Sequence, residues 1–199
     1  ADNHAPGGQQ PQIANSANGT PQVNIQTPSG AGVSRNVYSQ FDVDGRGVVL
    51  NNSRANTSTQ LAGMVAGNPN LAKGEARVIL NEVNTRDPSR LNGYIEVAGQ
   101  KAQVVIANPA GISCDGCGFI NANRATLTTG QVQYGNGQIS GYDVNRGEIL
   151  VQGGGLDASS VDSTDLLARA VKINAGVWAQ ELKVTAGRNQ IDAAHSRTT

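Results

Sequence analysis

The amino-acid sequence predicts an all-β fold in the form of a parallel β-helix. From Val23 onward the chain is a succession of short apolar runs, each closed by Gly, Asn or Asn-Pro, which is the alternation of strand and turn. In the C-terminal half the apolar positions recur: Leu127, Ile149 and Val171 are each 22 residues apart, and Leu156 and Val177 are 21 apart. A period of that size, with Gly or Asn clusters between the apolar positions and no capped helices, matches coils stacked at an inter-strand distance of about 4.8 Å. Composition agrees, because only 15% of the 199 residues are charged and 4% aromatic, against about 25% charged in ordinary soluble domains. The core must therefore be built from Val, Ile, Leu and Ala. Such residues fill a narrow interior stacked many times, and inward Asn can form ladders at the coil corners.

Fifteen Lys and Arg balance fifteen Asp and Glu, and no basic run occurs, so a nucleic-acid partner is excluded for want of a surplus of cations on one face. Nothing in the charge pattern points to a polyanion or a membrane surface. No stretch approaches the ~18 apolar residues of a spanning helix. The start, Ala1 to Gln12, is polar rather than basic and then apolar, so any signal segment is expected to have been removed.

Taken in order, residues 1–20 lack periodicity and read as an extended N-terminal arm, and residues 21–199 read as a single domain. An uncapped β-helix would expose unpaired backbone, and Val23 to Val49 is the natural N-terminal cap. The strand runs that follow are Val48 to Leu50, Ala76 to Leu80, Tyr94 to Val97 and Val104 to Ile106. Those between 76 and 107, separated by Pro88, Asn92-Gly93 and Gly99-Gln100, are close enough to pair as antiparallel hairpins, forming an extra-helical antiparallel sheet. Gly135-Asn136-Gly137 is a second turn signal. Between Asp162 and Ile173, Leu166, Leu167, Ala170 and Val171 fall at helical spacing behind a possible Ser163 or Thr164 cap. The period-two run Val171-Lys172-Ile173 bounded by Asn174-Ala175-Gly176 favours a strand there.

Asn68-Pro69-Asn70-Leu71 and Asn108-Pro109-Ala110-Gly111-Ile112 open alike. Asn at the first turn position accepts backbone hydrogen bonds through its side chain, and Pro at the second presets φ, so each is a tight turn with a fixed exit. Cys114-Asp115-Gly116-Cys117 carries the only two cysteines. Zinc would need four ligands, and the two histidines, His4 and His195, stand at opposite ends of the chain. A redox pair would open a helix, whereas Gly118-Phe119-Ile120-Asn121 reads as a strand. A local disulfide fits better; it would rigidify the corner after the second Asn-Pro turn and points to an oxidising compartment.

No nucleophile, base and acid come together, so no enzymatic site is expected. Asp42 and Asp44 read as solvent-side strand and turn residues. Gly153-Gly154-Gly155-Leu156-Asp157 is a single, out-of-register version of a calcium-binding repeat, so neither calcium nor another metal or cofactor is expected. Sequons at Asn18, Asn51 and Asn56 arise by chance in an Asn-rich chain.

Four stretches carry a family resemblance: Asn68-Pro69-Asn70-Leu71, Ile79-Leu80-Asn81-Glu82-Val83, Leu91 to Gly99, and Asn108-Pro109-Ala110-Gly111-Ile112 with Cys114-x-x-Cys117-Gly118-Phe119-Ile120-Asn121. Together they resemble the secretion domain of two-partner-secretion exoproteins, which include filamentous haemagglutinins, haemolysins and contact-dependent growth-inhibition proteins of Gram-negative bacteria. The resemblance implies a right-handed parallel β-helix with an N-terminal cap at the front of a much longer secreted protein. It implies an address: the domain transits the periplasm unfolded, meets the periplasmic POTRA domains of a dedicated outer-membrane transporter, and begins folding at the cell surface. On this resemblance, folding outside would then help to draw the rest of the protein through. The family motifs Asn-Pro-Asn-Leu and Asn-Pro-Asn-Gly-Ile map onto Asn68, Pro69, Asn70 and Leu71 and onto Asn108, Pro109, Gly111 and Ile112. Ala110 departs from the family's Asn, although the turn itself should survive. The Cys114 and Cys117 pair is similar to the haemolysin and growth-inhibition branches. An isolated monomer is expected. The alternative function is an adhesin whose long parallel face binds a cell-surface glycan or receptor. A β-helix lyase is disfavoured by the scattered charges of residues 118–190.

Overall fold

The computed structural model describes residues 1–193. It is a three-sided parallel β-helix, and the chain reads coil by coil. Residues 1–20 contain a short 3-10 turn at Gly7–Gln9 and a strand, β1 (Gln12–Asn15), that pairs antiparallel with β2 (Pro21–Asn24). The first coils follow with β3 (Val33–Tyr38) and β4 (Val48–Asn52), then a small hairpin of β5 (Thr57–Thr59) and β6 (Gly63–Val65). A complete coil is made by β7 (Val78–Val83), β8 (Ser89–Leu91) and β9 (Tyr94–Gly99), continuing into β10 (Ala102–Ala107), β11 (Ile112–Ile120) and β12 (Ala122–Thr128). A second hairpin, β13 (Gln131–Gly135) and β14 (Gln138–Val144), leaves the helix before β15 (Glu148–Ala158) and β16 (Ser163–Ala168). The last coil is β17 (Ala170–Ile173), β18 (Val177–Ala179) and β19 (Leu182–Ala186), and β20 (Asn189–Asp192) turns back.

One side of the helix is β3, β7, β10, β12, β16 and β19 in parallel order. The other two share the long, bent strands β11 and β15. Their first halves align with β8 and β17, their second halves with β9 and β18, and β9 continues onto β4 and β2. Stacking like on like makes the core. Ile106, Leu127 and Leu166 lie in register above one another and are all fully buried. One polar pair in the interior forms a ladder: Asn36 sits on Asn81, and their side-chain amides donate to Leu80 O and Val105 O at 3.3 and 3.2 Å. Each amide takes the carbonyl of the next coil, so neither buried side chain is left unpaired.

The spacing of apolar residues is partly a coil period. Ile149 pairs with Val171 and Leu156 with Val177, as their separations require. Leu127 lies on a different side and stacks on Leu166, because the hairpin β13–β14 is inserted between β12 and β15. Asp162 to Ile173 is strand, in β16 and β17.

Two expectations are corrected, on the cap and on the runs from 76 to 107. Residues 1–20, read as an extended arm, include the strand β1, and Asp2 is buried with its amide donating to Val37 O at 2.9 Å. The carboxyl of Asp2 is held below the ordinary carboxylate range, chiefly by the His4 backbone N–H and then by the Asn84 side chain. Val23 to Val49 is not the cap but the start of the helix, for β2 pairs parallel with β4 and β3 with β7; β1 covers the end. The runs from 76 to 107 are not antiparallel hairpins. A link as short as Gly99-Gln100-Lys101 can turn the chain onto the next side as readily as back on itself, and β9 and β10 each find parallel partners in neighbouring coils.

The extra-helical antiparallel sheet lies elsewhere, as β13, β14 and β20 around the turn Asn136-Gly137. Both turn residues have positive φ, 55° and 73°, the geometry that suits a two-residue hairpin. This sheet covers one side of the helix through a second apolar cluster of Tyr142, Val144 and Ile191 against Val33, Leu80, Val105 and Leu167. Arg35, which donates to Glu82 at 2.6 Å, also stacks 4.5 Å from the centre of the Tyr134 ring. The hairpin therefore ties the first coil to later ones.

The smaller hairpin β5–β6 is held down by one carboxylate. Glu96 is 5% exposed, and its oxygens accept N–H bonds from Gln60 and Leu61 at 2.9 to 3.0 Å. Ala62 and Val65 pack on Val49 and Ala98 beside it. Replacing Glu96 with alanine leaves two turn amides without acceptors. The expected outcome is a hairpin that opens locally while the helix stays folded, seen as faster trypsin cleavage at Arg54 with little change in the main melting transition.

Candidate functional site

The two Asn-Pro motifs form corners of the same chemistry at different places in the helix. In the first, Asn68 caps the 3-10 turn Pro69–Leu71: its side-chain oxygen accepts from Asn70 N at 2.9 Å, and Leu71 N donates to Asn68 O at 3.2 Å. Its amide nitrogen donates to Ile25 O and Asn51 O at 2.9 and 3.0 Å. In the second, Asn108 accepts from Ala110 N at 3.0 Å and Gly111 N donates to Asn108 O at 3.0 Å. Its amide donates to Asp87 O at 2.8 Å and to Ser89 Oγ at 3.0 Å.

One Asn at each corner thus serves as turn cap and as bolt to the neighbouring coil. Pro at the next position sets φ near the value that the turn needs and removes an N–H that would have no partner. Asn68 is 2% exposed, Asn108 is 0%, and Leu71 and Ile112 are buried beneath them. Pro69 is exposed and Asn70 half-buried; Pro109 and Ala110 are half-buried. The chain brings the eight motif residues to two separate corners rather than to one constellation. The second corner joins β10 to β11, and the first lies between the β5–β6 hairpin and β7.

Ala110 costs the second turn nothing that the turn itself requires, since the backbone bonds run through Asn108. What differs is the third side chain. Asn70 in the first corner donates to Gln12 Oε1 at 2.7 Å and Ile25 O at 3.1 Å, so it ties the corner to β1 and the start of the helix, a link that alanine cannot make at the second. Gly111 has φ of 125°, in the region favouring glycine.

Cys114 and Cys117 are joined by a disulfide with Cα atoms 5.3 Å apart, in the bend of β11 where its pairing shifts from β8 to β9. Both are buried, with Cys114 stacked on Leu91 and Val151. The bridge staples two sides of one coil. In the chain-entropy account so short a loop contributes about 2 kcal/mol. Reducing it is expected to lower the melting temperature by about 4–8 °C without loss of the far-ultraviolet β signal, measured with and without dithiothreitol.

Asp42 and Asp44 are both exposed; Asp42 accepts the backbone amide of Arg90 on β8 at 2.9 Å, and Asp44 that of Arg46 within its own turn at 2.9 Å. Asp157, at the end of the Gly153-Gly154-Gly155 run, accepts from Tyr94 OH at 2.6 Å and from Ser159. The Ser159 hydroxyl, and after it Tyr94, hold its carboxyl below the ordinary range. Among the described residues no group of three or more His, Cys, Asp or Glu comes together that could hold a metal. His4 is on the N-terminal segment, and His195 lies outside the described residues.

Sequence reasoning missed the partners that make the corners work: Asn51 and Ile25 for the first, Asp87 and Ser89 for the second. It also missed Glu96. The available signal was an Asn or Glu placed inside an otherwise apolar run, as with Asn51 after Val48-Val49-Leu50 and Glu96 within Tyr94 to Ala98.

A parallel β-helix of three sides with a covered end and two bolted Asn-Pro corners defines the structural class of the domain. The comparisons agree with that class. The TPS secretion domain family model matches residues 1–199, and the chain belongs to this family. It is 74% identical over 195 residues to "Toxin CdiA" of Yersinia pestis, covering 98% of this chain and 6% of that protein. It is 51% identical over 190 residues to "tRNA nuclease CdiA-2" of Burkholderia pseudomallei, covering 94% of this chain and 6% of that protein. The crystal structure of a filamentous hemagglutinin secretion domain superposes with a TM-score of 0.87 at 39% identity, covering 96% of this chain and 65% of the other. The chain therefore spans about one-sixteenth of the length of these curated relatives. It is a two-partner secretion domain, of the kind carried by exoproteins that Gram-negative bacteria export and display at the cell surface.

Proposed function

We propose that this domain directs a long exoprotein to its own outer-membrane transporter, through that transporter's periplasmic POTRA domains, and that its two Asn-Pro corners are required because they set the folding of the domain. The observation that carries the second part is burial. Asn68 and Asn108 have their side-chain oxygen and amide groups engaged inside the folded helix. No partner can reach them there without undoing a coil, whereas Pro69, Asn70, Pro109 and Ala110 form the accessible rims. Residues Asn68, Pro69, Asn70, Leu71, Asn108, Pro109, Gly111 and Ile112 act by shaping these corners, and Cys114 and Cys117 brace the coil beside the second. The domain works as a monomer without cofactor or nucleic acid. Any toxin or nuclease activity of the longer protein resides in other residues, which this domain carries to the surface as in contact-dependent growth inhibition.

The test attaches a reporter passenger to the chain and measures its release by cells that carry the transporter. Asn68→Ala and Asn108→Ala are expected to stop export. Unchanged export by both variants would overturn the role given to the corners. A companion measurement follows binding of the transporter's periplasmic domains to native domain and to domain just diluted from urea. Binding confined to the refolding interval would show that recognition reads the unfolded chain and ends on folding; persistent binding by native domain would show that a folded surface is read.

A further inference from the structure

We propose that the outer face of the helix beside the β5–β6 hairpin is a saccharide-binding groove, shaped for a chain of neutral hexoses met at the cell surface. The site belongs to the folded, displayed domain, so it goes beyond the transporter reading and does not depend on it. Three observations locate it. First, the face is concave. The hairpin stands beside the outward side of β9, β11 and β15 and leaves an open groove of about 850 Å³, within the size range of small-ligand sites. Second, two aromatic rings lie across this side of the helix on glycines. Tyr94, Gly118, Asp157 and Trp178 stand in register on successive coils, and the residues that alternate with them, Ile95, Phe119, Leu156 and Ala158, are buried, so the row faces outward. The Tyr94 ring crosses β11 at Gly118, where a Cβ would lie 2.7 Å from its Cδ2, and its hydroxyl donates to Asp157 at 2.6 Å. Trp178 lies over Gly176 and beside Gly155 in the same way, since Cβ atoms there would come 2.6 and 3.1 Å from the indole. The fold makes room for this ring without burying it: Trp178, the one tryptophan of the chain, is 56% exposed. Val177 and Ala179 on either side of it pack against the core, so a further coil stacked on the end would extend the interior and leave the indole outside. Third, the groups between the rings suit hydroxyls. Asp157 accepts from Tyr94 OH and from the Ser159 amide and hydroxyl, three of the about four lone-pair sites of a carboxylate, and so has one to offer a ligand. Asn121 spends its amide nitrogen on Val97 O and Gly99 O at 2.8 and 3.0 Å, which leaves its oxygen as an acceptor on the groove.

These features also define the occupant. A pyranose ring presents an apolar C–H face, which packs on an aromatic face, and a rim of hydroxyls, which pair with carboxylate, amide and hydroxyl groups. Tyr94 and Trp178 are three coil steps apart, about 14 Å at the inter-strand spacing, so one sugar cannot touch both rings and a chain of several can. The groove carries two carboxylates, Glu96 and Asp157, against one cation, Lys101, so an acidic sugar meets a net negative charge and a neutral one does not. A peptide strand finds no edge here, because β9, β11 and β15 are each paired on both sides.

The experiment uses the whole 199-residue chain, whose single tryptophan lies beside the groove and makes its own fluorescence the reporter. Maltohexaose, cellohexaose and mannohexaose are titrated as neutral probes and hyaluronan hexasaccharide as the acidic one, and calorimetry repeats the titrations on the parent, Trp178→Phe and Trp178→Ala. Trp178 is exposed, so both variants should melt within about 2 °C of the parent, as expected of surface substitutions. The expected result is a saturable change of emission with at least one neutral hexaose. Binding should be retained by Trp178→Phe, which keeps a ring, and weakened about tenfold or more by Trp178→Ala and by exchange of the neutral probe for hyaluronan. No saturation with any neutral probe overturns the proposal, as does equal binding by the parent and Trp178→Ala. Tighter binding of hyaluronan overturns the neutral class. In a further arm, labelled parent chain is mixed with cells of the exporting strain and with cells of a second species, then competed with the hexaose that binds best. Retention by the first or only by the second, released by the hexaose, tells whose surface supplies the saccharide; retention by neither overturns the cell-surface assignment.

Discussion

Asn108→Ala is expected to lower the melting temperature by about 6–12 °C, the equivalent of about 3 kcal/mol for a domain of this size, with export of an attached passenger falling alongside it. The substitution removes three hydrogen bonds at once. It leaves the Ala110 amide, the Asp87 carbonyl and the Ser89 hydroxyl without their partner in a corner where Asn108 itself is fully buried. Water has poor access to such a site, so the orphaned groups bear most of their desolvation cost. Asn108→Asp separates the two halves of the role. An ionised carboxylate can still accept from the Ala110 amide but cannot donate, and it faces the Asp87 carbonyl with like polarity. A loss for Asp as large as that for Ala assigns the stability to the donated bonds. Thermal melts of the parent and both variants decide it, and a change of less than 2 °C for Asn108→Ala would contradict the account.

Gly93→Ala has a comparable effect for a different reason. At the bend between β8 and β9, a Cβ on residue 93 would lie 2.0 Å from the Asp44 carbonyl oxygen of the coil beneath and 3.0 Å from Gly47 N. Both obstacles are backbone, held by the turn in which Gly47 N donates to Asp44 O at 2.9 Å, so no side-chain rotation relieves the clash. Overpacking ordinarily costs about 1–3 kcal/mol, and rigid backbone opposition places this substitution at the upper end, a fall of about 6–12 °C. Gly7→Ala, where nothing lies within 4 Å, is the control and should leave the melt unchanged. If the two variants melt alike, the coils are not packed as closely as this bend requires.

Much of this was legible without a structure. The Asn-Pro turns could be read because their chemistry is local: the Asn oxygen bonds the amide two residues on, and Pro fixes φ, whatever surrounds them. The Cys114 and Cys117 bridge spans only three positions, and the strand at Asp162 to Ile173 follows from its period-two end and its Asn-Ala-Gly stop. The pairing of Ile149 with Val171 was legible too, since no insertion separates those coils.

What failed was most of what depends on which strand lies beside which. The runs from Ala76 to Ala107 have the strand lengths and short links of hairpins, and they are coils. The sequence around Gly99 does not say whether the chain turns by a corner or reverses; the neighbouring coils decide, by offering β9 and β10 parallel partners on both edges. Leu127 shares a spacing with Ile149 but not a side, because the β13–β14 insertion resets the count. Residues 1–20 carry no apolar period because β1 is an edge strand with all four residues exposed, so burial leaves no imprint on it.

By itself the sequence determined the class of fold, the two corners and the local bridge, because strand length, turn geometry and core composition are set within a few residues. Only the tertiary structure decided that Asn68 and Asn108 bolt neighbouring coils together, that Glu96 holds down a hairpin more than thirty residues away in sequence, and that the antiparallel sheet clasps the helix at Tyr142 and Ile191. Those contacts join residues far apart along the chain. Their partners are selected by stacking register, a property of the assembled coils that no single coil contains.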